Sequence, residues 1–192
     1  MVRSVSRREA VLEDWLLLFY LFSVAGWVWE VLLTALATGQ WVNRGMLRGP
    51  WLPVYGAGGM LMAALLRSRR NRWTVPFLAA LAGGGVEYAT ALALELRFRQ
   101  RWWDYTGLPG SLQGRVCLAS LLGFALAGWV LAWLTPRLDR RLKRLNGGIR
   151  TAVCRSVSLI FALDWSLSLL WPNAGTGITC PLYFAALCAR QG

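Results

Sequence analysis

Residues 15–38 read WLLLFYLFSVAGWVWEVLLTALAT, twenty-four consecutive positions with a single charge, Glu30. At about 1.5 Å of rise per residue such a segment is about 36 Å long as a helix, enough to cross a hydrocarbon layer about 30 Å thick. A soluble domain of this size has no use for an apolar run of that length. The basic residues ahead of it and Ala35-Leu36-Ala37 near its end also resemble a cleavable signal peptide. The run is longer than a signal's core and carries Glu30 inside it, so the expectation is a retained span.

Working outward, the pattern recurs. Further spans are expected at about 51–66, 73–96, 115–135 and 151–171, giving an all-α polytopic transmembrane bundle of about five helices in a single membrane domain over 1–192. The second is short, and Pro50 and Pro53 crowd its entry. After Pro172 comes Asn173-Ala174-Gly175-Thr176-Gly177 and then an apolar stretch to Ala189 broken by Pro181, so residues 173–192 read as a re-entrant or short sixth segment. Trp15, Trp41, Trp51, Trp73, Trp102, Trp103, Trp133 and Trp171 fall at or just beyond span ends, where an indole gains from lying between headgroups and tails.

Composition agrees: 56% of the 192 residues are hydrophobic and only 16% charged, with a mean hydropathy of +0.43. A soluble protein carries nearer a quarter of its residues charged. The net charge of +12 would suit a nucleic-acid partner if it covered one folded face, but the arginines sit in short loops between apolar segments. Arg3, Arg7 and Arg8, then Arg67, Arg69, Arg70 and Arg72, then Arg137, Arg140, Arg141, Lys143, Arg144 and Arg150 fall on one side of the membrane. Arg44, Arg48, Arg97, Arg99, Arg101 and Arg190 fall on the other. The excess places the N-terminus in the cytoplasm, the first and third loops outside, and the protein in the cytoplasmic (inner) membrane. No nucleic-acid partner is expected; the lipid bilayer is. Cys117, Cys154, Cys180 and Cys188 lack C-x-x-C spacing and the chain has no histidine, so neither a metal site nor a cofactor is expected.

Chemistry concentrates in acids. Glu30, Glu87 and Asp164 lie inside spans, about eight to ten residues from the same ends, or roughly 12–15 Å deep. A charge at mid-bilayer costs at least about 2.5–3.5 kcal/mol, so such residues face protein or a wet cavity. Ala79, Gly83, Glu87, Ala91 and Glu95 form a row at four-residue spacing, as do Ser23, Gly26, Glu30 and Thr34 with small slips, and small residues let a neighbouring helix approach. Three acids at one depth point to a shared site between helices one, three and five. Arg115 is placed to meet Glu95 or Asp104. The Gly- and Pro-rich segment from Asn43 to Gly58 reads as irregular backbone entering the membrane, tolerated where protein or water satisfies its polar groups.

The residues Gly26-Trp27 with Glu30, Asn43-Arg44-Gly45, Gly49-Pro50, Pro53 with Tyr55-Gly56, Glu87, Trp103-Asp104-Tyr105, and Gly114-Arg115 with Cys117 and Ser120 carry a family resemblance. Their order and spacing over roughly 15–125 resemble the bacterial membrane proteins labelled Putative ABC-transporter type IV. Ser111 stands where that pattern has asparagine and Leu122 where it has tryptophan, and the C-terminal third matches mainly through Asp164. The resemblance implies a permease. The chain has no G-x-x-x-x-G-K-[ST], so ATP hydrolysis by that route would need a separate nucleotide-binding subunit; a homo-oligomer is the other assembly to expect.

Three functions stay open. In the first, a permease-like protein binds a cation, proton or small cationic solute through Glu30, Glu87 and Asp164, with Glu95, Asp104, Asn43, Arg44, Tyr55 and Arg115 as further ligand-binding candidates. In the second, the protein is a scaffold or assembly subunit whose polar residues only hold its helices together. In the third, it is an enzyme acting on a lipid or envelope precursor at the outer leaflet, with Asp104 and Glu95 as acid–base pair and Arg44 or Arg48 on a phosphate. No catalytic residue is assigned, since neither histidine nor an identifiable nucleophile is present.

Overall fold

A computed structural model describes residues 7–67, 74–142, 144–175 and 177–181. Among them are five α-helices: α1 (Arg7–Thr38), α2 (Pro53–Arg67), α3 (Thr74–Phe98), α4 (Leu118–Leu142) and α5 (Gly147–Leu170). Four of these, all but α2, are long and apolar enough to cross a membrane. At fifteen residues, α2 spans only about 22 Å and does not cross alone. The expected all-α bundle is present, with boundaries shifted. α1 starts eight residues earlier than expected and projects beyond its apolar run. α4 starts at Leu118, so Arg115 belongs to the preceding loop, and it continues through Pro136 to Leu142. Proline opens the helical ladder, and the Arg137 guanidinium donates to the Trp133 carbonyl there.

The helices do not pack in the expected one–three–five group. α2 lies between α1 and α3 and also touches α4, α3 and α4 form the most extensive pair, and α5 packs on α1. Small residues explain the central place of the short helix. A β-carbon on Gly26 of α1 would fall inside the Tyr55 ring of α2, and one on Gly56 would meet Ser23 and Phe19. The polar stripe of α1 therefore faces α2 rather than α5. Ser23 is fully buried there, and its carbonyl accepts from Leu52 N at 3.0 Å.

The surface is that of a membrane protein. Leu122, Leu126, Trp129 and Trp133 of α4 and Ile160, Leu163, Leu167 and Leu170 of α5 are exposed, an apolar extent that water would penalise and lipid would not. The buried apolar cluster lies instead under the loops at one end. Met46, Leu47, Trp51 and Trp102 form it, with Val24, Leu94, Phe98, Trp103, Val157, Phe161 and Ile178 packed around. At that end Gln100–Arg101 (β1) pairs antiparallel with Cys180–Pro181 (β2). Of the expected sixth segment, 173–175 and 177–179 are irregular chain and 180–181 form this two-residue ladder, while 176 and 182–192 lie outside the described residues, as do Arg3, Arg69, Arg70, Arg72 and Lys143.

Candidate functional site

The 39–52 loop is held from two directions. Asp164 of α5 accepts from Arg48 N at 3.2 Å, Gly49 N at 3.0 Å and the Trp51 indole at 2.9 Å; Ser168 adds a bond at 3.4 Å. Asn173 donates to the carbonyls of Asn43 at 2.9 Å and Gly45 at 3.0 Å, while its own carbonyl accepts from the Trp102 indole at 2.9 Å. Asn43 completes the frame: its Oδ1 accepts from the Trp27 indole at 2.6 Å and its Nδ2 donates to Arg48 O at 2.8 Å. The irregular backbone read from the sequence thus has its polar groups satisfied by protein.

The 99–117 loop rests on a second network. Arg115 pairs with Glu95 at 3.0 Å, the contact expected between them. Arg101, which the sequence did not single out, lies 3.3 Å from Glu95 and 3.2 Å from Asp104. Asp104 Oδ1 also accepts from Thr106 N at 2.9 Å and Thr106 Oγ1 at 2.6 Å. Gln113, at φ +55°, accepts from both Arg115 and Tyr88. Placing a non-glycine residue in that region costs of order 1 kcal/mol, which these bonds offset.

Between the two loops and helices α1, α2, α3 and α4 lies a cavity of about 190 Å³. Its walls carry Glu30, Arg44, Tyr55, Glu87, Trp102, Trp103, Tyr105 and Phe124. Tyr55 donates to Glu30 at 2.5 Å and Tyr105 to Glu87 at 3.0 Å. Burial, and then the adjacent Glu87, push the Tyr105 phenol well above its ordinary value, so it remains a donor. Glu87 is only 7% exposed, yet its Oε2 has no hydrogen-bond partner among the described residues. The Ser120 hydroxyl, which donates to Cys117 O at 2.9 Å, is the other polar group that acts on this carboxylate, and a buried carboxylate oxygen without a full hydrogen bond is costly.

A family model described as Putative ABC-transporter type IV matches residues 17–169. The chain belongs to that family. The match takes in α1 to α5 nearly complete and extends past the 15–125 region on which the resemblance rests. No curated protein and no solved structure matches the chain. Membership, with the four long apolar helices, fits a multi-pass membrane protein and is consistent with a role related to transport.

The motif residues of this family member therefore divide into frame and cavity. Glu30, Glu87, Tyr55 and Arg44 line the cavity, whereas Glu95, Asp104 and Arg115 fix one loop and Asn43 fixes the other. Asp164 is a correction to the three-acid expectation. It is not among the cavity-lining residues, because the backbone and indole donors of the 39–52 loop occupy both of its oxygens. Trp102, Trp103, Tyr105 and Phe124 are wall residues that were not among the sequence candidates; the Trp102-Trp103-Asp104-Tyr105 run was the available signal. Nothing marked Asn173 except its place after Pro172.

Proposed function

We propose that this protein is permease-like and that the cavity between Glu30 and Glu87 binds a cation, proton or small cationic solute on its way through the membrane. In this reading the N-terminus is cytoplasmic, the loops around the cavity face outward from the inner membrane, and a separate nucleotide-binding subunit supplies any ATP hydrolysis. The observation that carries it is Glu87: a buried carboxylate within α3 that lines the cavity, with one oxygen accepting from Tyr105 and the other without a hydrogen-bond partner among the described residues. Asp164, by contrast, has both oxygens bonded and lies outside the cavity, while Asp104, which also has one oxygen without a partner among the described residues, is ion-paired to Arg101.

The test is ligand stabilisation of the purified protein in nanodiscs, with sodium, choline and tetramethylammonium as probes. At a hundredfold excess over Kd a bound ligand raises stability by about 2.7 kcal/mol, which a thermal melt resolves. At least one probe should raise the wild-type midpoint. Glu87→Gln should abolish that rise and leave the unliganded midpoint nearly unchanged, since the Oε2 it alters makes no bond. A scaffold is the second reading, favoured by how many motif residues are consumed in loop contacts. It would win if no probe shifts the wild type and Glu87→Gln alone lowers the midpoint.

A further inference from the structure

We infer that the occupant of the cavity is a small zwitterion, with its ammonium end against Glu30 and Glu87 and its carboxylate against Arg44. This rests on the binding role proposed above and specifies the ligand. Arg44 makes one hydrogen bond among the described residues, from Nη1 to Gly177 O at 3.3 Å. Its Nε is buried with no partner among them. No ion pair joins it to Glu30 or Glu87, although all three border the same cavity. Arg101 Nε likewise lacks a hydrogen bond among the described residues, but the Arg101 and Arg115 guanidinium groups are each ion-paired to a carboxylate, which Arg44 is not.

The cavity thus presents a partly unsatisfied guanidinium and a partly unsatisfied carboxylate that do not satisfy each other. A simple cation would answer the acids and be repelled by Arg44, and a simple anion would meet the converse. A molecule with both charges satisfies both, and the planar guanidinium suits a carboxylate in particular. The aromatic walls fit the cationic end. The indole N–H groups of Trp102 and Trp103 are committed to Asn173 O and Arg115 O, so what these residues offer the cavity is ring carbon. Aromatic rings attract an ammonium group, a methylated one included. With about 30 Å³ per water, a cavity of about 190 Å³ takes roughly half a dozen non-hydrogen atoms, the size of a small amino acid or its N-methylated relative.

Titration calorimetry on the nanodisc protein tests this with matched probes: alanine and glycine betaine as zwitterions, ethylamine and choline as their carboxylate-free counterparts, and propionate as the anion. A zwitterion should bind at least about tenfold tighter than its carboxylate-free counterpart, a gap of about 1.4 kcal/mol. Arg44→Gln should erase that gap while the carboxylate-free cation still binds. Which zwitterion wins identifies the ammonium as primary or quaternary. If the carboxylate-free cations bind wild type as tightly as the zwitterions, the inference is overturned and the cation-binding function stands. If a folded wild type binds none of the probes, both fail. Should Arg44→Gln not fold, the wild-type affinity series decides alone.

Discussion

Both carboxylate oxygens of Asp164 are taken by donors, two of them backbone N–H groups of the 39–52 loop. Glu87, at a comparable depth in its own helix, leaves one oxygen without a partner among the described residues. Opposite outcomes are expected on substitution. Asp164→Asn replaces an acceptor with an amide that faces donors, and the expected loss of stability is about 1–3 kcal/mol, read as a lower thermal midpoint. Ligand affinity of whatever folds should change little. Position along each helix was legible in the sequence, because helical rise converts residue number into height. Height is a single coordinate, however, and the direction an acid faces depends on which helices meet, so Asp164 was grouped with two acids it does not join. The Arg115–Glu95 pair was legible because a charged loop residue close above a helix-end carboxylate has few other partners. Asn173 was not, since its role depends on loop carbonyls that no pattern announces.

Among the helices, α3 and α4 show how small residues set contact distance. Gly128 of α4 lies against Ala79 of α3, whereas a β-carbon on Gly123 would meet nothing within 4 Å. Gly128→Ala should therefore cost about 1–3 kcal/mol by forcing the helices apart. Gly123→Ala should be neutral or stabilising by up to about 1 kcal/mol through helix propensity. Thermal melts of the two variants side by side check the packing, and equal effects would contradict it. The four-residue spacing along α3 was enough to mark this face, and Ala79 and Gly83 are indeed buried. What hydropathy could not give was the start of α4. Apolar residues 116–118 continue the pattern without interruption, but Leu112 pairs with Val116 as an isolated bridge and keeps the chain extended until Leu118.

For the molecule as a whole, the charge asymmetry predicts which end faces the cell exterior. Gly107 and Asn146 are both exposed, at opposite ends of α4; Cys117 and Cys154 are buried, and the labelling background carries Cys180→Ser and Cys188→Ser. An impermeant maleimide should label Gly107→Cys in intact cells and Asn146→Cys only after permeabilisation. The reverse pattern would invert the assigned orientation. The five helices were readable from length and hydropathy, although only four of them are long and apolar enough to cross. Helix neighbours were not, because lipid and protein are equally apolar surroundings for a leucine and composition does not distinguish them.

The last long helix closes onto the first. Arg150 of α5 meets Glu13 and Asp14 of α1 at 3.1 and 3.4 Å, and Tyr20 meets Ser158 at 2.9 Å. Neighbours in sequence, α1 with α2 and α3 with α4, can associate soon after each pair has been synthesised. The 39–52 loop cannot be clasped until Asp164 arrives, more than a hundred residues later. During biogenesis this leaves the loop that carries Arg44 unclasped until α5 has formed, so the order of synthesis makes that wall of the cavity late to mature.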